Sequence, residues 1–375
     1  MKRVTKVRAM HGVQVTVGFG SVVAMLLASG LSAAADSPQV DEDGTIHMPA
    51  ITLPESSFLG DETRAALKSE RASRKEEASA PKPCPAEDHA DAAHMAAIRS
   101  CEAEAFYKTP YYKRLRDLYG VEITSRQIAG VNTEVFVPTH GVDRRNQKRI
   151  LINVHGGGFT GGARTISHSE SIPIASVGKI KVISIDYRQA PEYTFPSASE
   201  DVAAVYRELL KTYKASNIGL YGCSAGGLLT AEAIAWFQKE GLPLPGAVGM
   251  FCEGASYWTD GDSGYLFGGR RLTAIESVRM NPYFNGADLN SPLVFPALSP
   301  QVMGRFPPSL LIGGTRDFAL SSIAHTHCAL VAQGVEAHLQ IWEGLDHAFF
   351  FDPDLPQSRE MYDVTVKFFD THLGR

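Results

Sequence analysis

Apolar and polar positions follow two different patterns on either side of Gly120. Before Gly120, residues 61–79 are rich in Ala, Glu, Lys and Arg, which predicts an exposed helix. Residues 88–119 predict further helix, interrupted near Pro110 because a proline inside a helix removes a hydrogen bond. Residues 36–60 show no sustained period and predict an extended arm. The first third of the chain is therefore expected to be helical after a polar arm.

After Gly120, short runs rich in β-branched residues alternate with helical stretches. The predicted strands are 131–138, 150–154, 180–187, 218–221, 247–251, 309–313 and 336–342. The predicted helices are 198–214, 228–238, 321–333 and 358–373. This alternation predicts an α/β fold with a mostly parallel central sheet covered by helices on both faces. Functional residues are then expected at the carboxyl ends of strands.

The N-terminus has the three-part layout of a secretory signal. Residues 2–8 carry four basic side chains, residues 13–31 carry no charge, and Ala33 to Ala35 are small. We expect a signal peptide over 1–35, cleaved after Ala35, with the uncleaved anchor as the alternative. The protein is then exported to a periplasm or out of the cell. No later stretch predicts membrane insertion once the signal is removed.

Composition and cysteine count narrow the function classes. The net charge is −5 and basic residues do not cluster beyond the N-terminus, so a nucleic-acid partner is not indicated. The five cysteines follow the predicted cleavage site, and no zinc-finger spacing is present. Their odd number leaves at least one free or paired between chains. Cys84 and Cys101 share the polar N-terminal region and are one candidate disulfide, with five separate thiols as the alternative.

A predicted strand–turn–helix transition carries the strongest chemical motif. Residues 222–227 read Gly-Cys-Ser-Ala-Gly-Gly and separate the predicted strand over 218–221 from the helix that begins at Leu228. This is the context of a nucleophile elbow, in which small neighbours allow a tight turn that exposes the serine oxygen. The sequence therefore predicts Ser224 as a catalytic nucleophile.

A glycine string begins at His155, directly after another predicted strand. Backbone without side chains can approach a substrate and direct N–H groups at a developing oxyanion. We expect Gly157 and Gly158 to be the donors, with the N–H of Ala225 completing the oxyanion hole. His155 is expected to orient this loop rather than to act as a base. The alternative is a glycine-rich turn without a ligand.

An acid and a histidine follow the last two predicted strands, in the order that an elbow motif requires. Asp317 comes after the strand over 309–313, and His347 after the strand over 336–342. His347 would take the proton of the serine, and Asp317 would hold the imidazole. Other acids and histidines are weaker alternatives, because each either follows no strand of its own or lies inside a predicted helix or strand. They are Glu343, Asp346, His325, His327 and His338.

These motifs, with Tyr-Arg-Gln-Ala-Pro-Glu over 187–192, resemble the hormone-sensitive-lipase-like (bacterial type IV) carboxylesterase branch of the α/β-hydrolase fold. The resemblance runs in order from about residue 121 to the C-terminus. It implies hydrolysis of carboxylic esters with modest acyl groups through an acyl-enzyme. It also implies a helical cap over 36–120, a catalytic domain over 121–375, and a cap or pocket insertion over 253–306.

The insertion is rich in aromatic residues that are expected either to form an acyl or alcohol site or to pack ordinarily. They are Tyr257, Trp258, Tyr265, Phe267, Tyr283 and Phe284.

The chain departs from the family pattern in two places. The family usually has Asp before the nucleophile, whereas this chain has Cys223, which predicts the loss of a carboxylate beside the elbow. A Cys223–Cys252 disulfide is a hypothesis, because both residues follow neighbouring strands in an exported protein. Arg316 and Phe318 differ from the family's context around the acid and leave the triad intact.

The sequence thus predicts a serine hydrolase that cleaves small-molecule carboxylic esters, with short to medium acyl groups, without a metal or organic cofactor. A lactonase or amidase and an acetyl-ester deacetylase remain alternatives, because the same triad serves each. A non-catalytic ligand-binding member of the fold, as in the gibberellin receptor, is a further alternative. Monomer and dimer both remain open.

Overall fold

The computed structural model describes residues 38–79, 83–85, 92–268 and 274–374. The predicted signal peptide over 1–35 lies outside these residues. The chain divides into two compact units, residues 1–54 and residues 55–375. In the described part of the first unit, strands β1 (Gln39–Val40) and β2 (Ile46–His47) pair antiparallel.

The second unit is built on an eight-stranded sheet. Its strands are β3 (Val121–Ile128), β4 (Val131–Pro138), β5 (Ile150–Val154), β6 (Val182–Ile185), β7 (Ile218–Cys223), β8 (Ala247–Phe251), β9 (Ser309–Gly314) and β10 (Ala337–Trp342). They lie in the order β10-β9-β8-β7-β5-β6-β4-β3. Neighbours from β10 to β6 are parallel, whereas β4 is antiparallel to both β6 and β3. The prediction of a mostly parallel sheet is confirmed.

The described part of the second unit contains eleven α-helices. They are α1 (Asp61–Ser79), α2 (Ala92–Phe106), α3 (Pro110–Leu118), α4 (Ile166–Gly178), α5 (Ser197–Leu209), α6 (Ala225–Lys239), α7 (Asp262–Phe267), α8 (Ala274–Arg279), α9 (Pro300–Met303), α10 (Leu320–Ala332) and α11 (Pro356–His372). None of them is long and apolar enough to cross a membrane.

Two apolar cores cover the two faces of the sheet. Successive residues of β5 alternate between them: Ile152 packs with residues of α5, α6 and α10, and Leu151 packs with residues of α4 and α11. All five residues of β5 are buried, as expected for a parallel strand covered on both sides. The long apolar strands therefore form the rigid platform on which the strand-end loops stand.

The N-terminal helices of the second unit pack against its C-terminal part. Thr63 of α1 donates a hydrogen bond to Gln357 of α11. The Tyr111 hydroxyl of α3 donates to the carbonyl oxygen of Phe351 and accepts from the hydroxyl of Ser169 of α4. The predicted helices over 61–79 and 88–119 correspond to α1, α2 and α3. The predicted insertion over 253–306 contains α7, α8 and α9.

Several predicted strands match in their bounds, whereas β3 and α4 are among the elements that were not predicted. Predicted strands 131–138, 150–154 and 247–251 coincide with β4, β5 and β8. Strand β3 was not predicted because it is an exposed, polar edge strand. Helix α4 was not predicted because it is buried around most of its surface, contains Pro173, and so shows no polar face.

Candidate active site

Ser224 occupies the tight turn between β7 and α6. Its φ of +59° lies in the left-handed region, where a residue other than glycine is strained, as often occurs at functional sites. A Cβ at Gly222 or Gly226 would overlap the carbonyl oxygen of Val154 at the end of β5. The glycines therefore allow the elbow to pack against the neighbouring strand, as the motif predicts.

The glycine string after β5 forms the loop facing this elbow. Gly157 has φ +113°, and a Cβ there would overlap the carbonyl oxygen of Gly161. Among the described residues, the N–H groups of Gly157, Gly158 and Ala225 donate no hydrogen bond. Gly158 and Ala225 line one cavity together with Ser224, whereas Gly157 is absent from the described part of its wall. Two of the three predicted oxyanion donors thus share a cavity with the predicted nucleophile.

His155 is fully buried behind the loop. Its ring stacks on Tyr187 with centroids 4.5 Å apart, and the Tyr187 hydroxyl donates to the His155 carbonyl oxygen at 2.8 Å. Its Nδ1 lies 2.7 Å from the carbonyl oxygen of Gly156, to which only a protonated Nδ1 can donate. Burial lowers the pKa of His155 to about 4. A neutral, buried imidazole in this place fits the predicted orienting role.

Asp317 and His347 meet beyond the carboxyl ends of β9 and β10. Asp317 is fully buried, and its Oδ1 lies 2.8 Å from Nδ1 of His347. The same Oδ1 accepts the backbone N–H of Ala319 at 2.9 Å. The ring of Phe318 stacks on His347 with centroids 4.5 Å apart. The carboxylate and the aromatic ring together fix the orientation of the imidazole.

The alternative acids and histidines have other neighbours. Asp346 lies 3.9 Å from Arg74, and Glu343 accepts a hydrogen bond from Ser56. His327 lies 3.3 Å from the carbonyl oxygen of Ala337. His338 lies 3.1 Å from Glu336, and His325 lines a separate cavity.

The hydroxyl of Ser224 forms no hydrogen bond within the described part of the chain. Catalytic hydrogen bonds of this kind often tighten only when substrate binds. Ser224 shares a cavity wall with Phe318, the residue stacked on His347. The predicted nucleophile therefore lines the same cavity as the aromatic ring that stacks on His347.

The cavity has a volume of about 610 Å³. Its walls come from the glycine loop, the elbow, the insertion and Phe318, and the described lining residues include neither lysine nor arginine. Of the insertion's aromatics, Trp258 lines the cavity. Tyr283 is instead buried, with its ring stacked on Phe159 at 4.3 Å, and Tyr265 is largely exposed. The aromatic residues of the insertion therefore divide: Trp258 forms part of the cavity wall, Tyr283 belongs to the core behind it, and Tyr265 does neither.

A buried carboxyl that the sequence did not reveal supports the loop. Glu170 of α4 accepts the backbone N–H of Gly156 at 2.9 Å and the side-chain amide of Asn153 at 2.7 Å. Burial raises the pKa of Glu170 to about 8, and these hydrogen bonds oppose that rise. The chain lacks the carboxylate that the family usually has directly before the serine, because Cys223 stands there. Glu170 provides a different buried carboxyl near the elbow, from helix α4, which the sequence pattern did not predict.

A disulfide joins Cys223 to Cys252, at the carboxyl ends of β7 and β8, with Cα atoms 5.2 Å apart. Sγ of Cys252 lies within 4.8 Å of a carboxylate oxygen of Asp317 and of a ring nitrogen of His347. The hypothesis of this bridge is confirmed, and the bond links the elbow to the surroundings of the acid and histidine.

The other cysteines agree with the first candidate pairing. A second disulfide joins Cys84 and Cys101, and Cys328 is free and exposed.

Arg99 of α2 anchors the glycine loop from outside. Its guanidinium donates to the carbonyl oxygens of Thr160 and Ala190, each at 2.7 Å. It also donates to both carboxylate oxygens of Glu192, at 2.7 Å and 2.9 Å. Thr160 in turn donates its N–H to the carbonyl oxygen of Gly157 at 3.1 Å. One side chain thus connects α2, the glycine loop and the segment over 187–192.

Comparison with known proteins agrees with this geometry. Residues 151–351 match the family described as alpha/beta hydrolase fold. An acetyl-hydrolase of Streptomyces hygroscopicus is 28% identical over 240 residues, which cover 61% of this chain and 78% of that protein.

Two solved structures are similar over most of the chain. The crystal structure of an esterase E25 has a TM-score of 0.71 and 29% identity, covering 87% of this chain and 98% of that one. An esterase from the bacterial hormone-sensitive lipase family has a TM-score of 0.68 and 25% identity, covering 84% and 99%. The predicted family and ester-hydrolase class are confirmed. The chain belongs to the alpha/beta hydrolase fold family, within its hormone-sensitive-lipase-like branch of carboxylic ester hydrolases.

Proposed function

We propose that Ser224 is the nucleophile of this ester hydrolase, that His347 is its general base and acid, and that Asp317 orients the imidazole. One observation carries this assignment: the Asp317–His347 hydrogen bond of 2.8 Å lies at the strand ends beside the cavity that contains the elbow serine. Because the Asp317 carboxylate accepts the hydrogen bond from Nδ1–H of His347, Nε2 carries no proton in the neutral imidazole. This tautomer can take a proton from a serine hydroxyl.

In the acylation step, Nε2 of His347 removes the hydroxyl proton as Ser224 attacks the ester carbonyl carbon. The carbonyl oxygen becomes an oxyanion, which the free N–H groups of Gly158 and Ala225 stabilise, with Gly157 as the third predicted donor. The protonated imidazole, held by Asp317, then gives its proton to the leaving alcohol oxygen. The alcohol departs and the acyl-enzyme remains.

In the deacylation step, water replaces the alcohol. His347 takes a proton from the water as its oxygen attacks the acyl carbon, and returns the proton to Ser224 when the acid leaves. The reaction uses side chains and backbone N–H groups alone. A cavity of about 610 Å³ supports substrates with short to medium acyl groups, and the similarity to an acetyl-hydrolase favours the short end of that range.

The test is hydrolysis of a para-nitrophenyl ester series of rising acyl length, with wild type beside Ser224→Ala. We expect highest kcat/KM on short chains and a loss of kcat of about 10⁴-fold or more in the variant, because the nucleophile acts as a unit with its base. Ser216→Ala, a partly buried serine outside the cavity wall, is the matched control. Equal rates for wild type and Ser224→Ala would refute the assignment of Ser224 as nucleophile. Hydrolysis of amides or lactones without hydrolysis of these esters would replace carboxylic esters as the proposed substrate class.

We further propose that the protein is exported to a periplasm or out of the cell. The basic, apolar and small-residue order of residues 1–35 supports this proposal. The two disulfides also support it, because such bonds persist mainly in oxidising compartments. Fractionation of cells that express the full chain, with N-terminal sequencing of the product, tests it. A product retained in the cytoplasm with residue 1 intact would contradict export.

A further inference from the structure

Glu253 is a buried acid in the wall of the substrate cavity. It follows the elbow's disulfide partner, Cys252, and its side chain is 3% exposed. A Cβ added at Gly227, in the first turn of α6, would stand 3.1 Å from Cβ of Glu253. Glu253 therefore packs directly on the turn that carries Ser224, and it lines the same cavity.

Ser277 of α8 is a second buried polar group on this wall. It is 4% exposed, and its hydroxyl has no hydrogen-bond partner in the described part of the chain. A buried hydroxyl without a partner is costly, so most such groups in native proteins are satisfied by protein, water or ligand. Ser277 lines the cavity but its hydroxyl oxygen is covered, so a substrate atom can supply the missing partner once the side chain turns towards the cavity.

The rest of the wall restricts which polar group fits. Leu228, Trp258 and Phe318 are apolar, and no lysine or arginine is among the described lining residues. Among these described residues an anionic substrate would meet no counter-charge. Burial raises the pKa of Glu253 well above its usual value, and the neighbouring charge of Asp317 adds to this rise. This shift favours the uncharged form of the carboxyl, which does not offer the full negative charge that an ammonium group needs.

A neutral carboxyl and a hydroxyl both donate and accept hydrogen bonds. Oε1 of Glu253 already accepts the backbone N–H of Gly254 at 2.9 Å, which fixes the orientation of the carboxyl. The group that such a pair complements is an uncharged donor and acceptor on the substrate. An alcoholic hydroxyl meets this description, and an alkyl chain does not.

We propose that Glu253 and Ser277 form a hydroxyl-binding subsite, so that the enzyme prefers esters carrying a free hydroxyl group near the scissile carbonyl. This inference rests on the proposed function of Ser224. The hydroxyl can belong to the acyl part, as in hydroxy-acid esters, or to the alcohol part, as in partial esters of polyols. A buried site that hydrogen-bonds a substrate hydroxyl discriminates against the analogue lacking it, because its own polar groups then stay unpaired.

The test compares kcat/KM for two matched pairs of esters. The acyl pair is para-nitrophenyl butyrate and para-nitrophenyl β-hydroxybutyrate. The alcohol pair is ethyl butyrate and ethylene glycol monobutyrate, and their hydrolysis is monitored by the release of butyric acid. In one pair we expect wild type to prefer the hydroxylated ester by about 10- to 100-fold, the range of one hydrogen bond to a buried polar group.

The readout in the variants is this preference ratio rather than the absolute rate. We expect Glu253→Met to reduce the ratio towards one, Glu253→Gln to keep part of it because the amide still hydrogen-bonds, and Ser277→Ala to lower it. Glu232→Met is the matched control. Glu232 is another fully buried acid with a raised pKa, and it is absent from the described cavity wall. The control should keep the wild-type ratio.

The outcomes separate this inference from the proposed function. A wild-type ratio near one in both pairs, with hydrolysis that depends on Ser224, overturns the subsite alone. A high ratio that survives both Glu253→Met and Ser277→Ala also overturns it. If Glu253→Met does not fold, Ser277→Ala and the wild-type ratio still decide. Absence of Ser224-dependent hydrolysis for all four esters overturns the proposed function and the subsite with it.

Discussion

Replacing Arg99 tests whether an N-terminal helix positions the oxyanion loop. The guanidinium makes four hydrogen bonds, two to carbonyl oxygens and two to the Glu192 carboxylate. The two side chains are 16% and 13% exposed, so the pair is closer to a buried than to a surface ion pair. Breaking a fully buried pair costs about 3–5 kcal/mol, and an exposed pair contributes about 0–1 kcal/mol. For Arg99→Met we therefore expect a loss of about 3 kcal/mol in the free energy of unfolding.

The same change should reach the active site through Thr160. Without Arg99, the carbonyl oxygen of Thr160 loses its donor, and Thr160 is the residue whose N–H bonds to Gly157. Misplacing a catalytic group by about 1 Å can lower the rate about 10²-fold. We expect kcat to fall by about 10- to 100-fold, with a smaller change in KM, because the oxyanion forms only in the transition state.

Urea unfolding and ester hydrolysis measure the two effects. Arg114→Met is the matched control, since Arg114 pairs with Asp354 at the surface, where both side chains are about half exposed. It should change stability by less than about 1 kcal/mol. Glu192→Gln completes a double-mutant cycle with Arg99→Met, and a coupling energy of about 1–3 kcal/mol is expected. The reasoning is refuted if Arg99→Met unfolds like wild type and keeps kcat within twofold.

Three more changes probe other parts of the site. Replacing Cys223 and Cys252 with Ala should lower the free energy of unfolding by about 3.6 kcal/mol, which is the chain-entropy contribution expected for a disulfide that closes a loop with a sequence separation of 29. Unchanged urea unfolding of the double variant would contradict this expectation. The raised pKa of Glu170, about 8, means that the folded state keeps a proton which the unfolded state loses near pH 4.3, so wild-type stability should fall as pH rises from about 5 to 8. Glu170→Gln should flatten this fall in urea unfolding at several pH values, and equal slopes would count against it. Asp317→Asn should lower kcat about 10⁴-fold by offering a donor to the Nδ1–H of His347, and a loss below tenfold in the ester assay would exclude the proposed role.

The strand-end chemistry was predictable because local patterns determine it. Ser224 stands between a strand and a helix that both have strong apolar runs. Asp317 follows another buried strand, β9, and His347 follows β10, in which apolar and polar residues alternate. The carboxyl ends of parallel strands meet at one edge of the sheet, so order along the chain was enough to expect these three residues near one another. The structure places Asp317 against His347 as that reasoning requires.

The supporting groups were not predictable from local patterns. Glu170 lies on a helix buried on nearly all sides, where no polar face marks its period. Arg99 acts across 61 residues on Thr160 and across 93 residues on Glu192, and no single-sequence pattern records such a contact. Ser277 became notable only when its hydroxyl was found buried without a partner in the described structure.

The bond between Cys223 and Cys252 also constrains how this chain can diverge. Cys223 directly precedes Ser224, and it is covalently tied to Cys252, which directly precedes the cavity-lining residue Glu253. Loss of Cys223 alone would leave the thiol of Cys252 unpaired beside the histidine and its acid. Loss of Cys252 alone would leave the thiol of Cys223 unpaired next to Ser224, so a chain with only one of the two cysteines is disfavoured. We therefore expect relatives of this chain to have both cysteines or neither, and a relative with a carboxylate directly before the serine to lack the second cysteine as well.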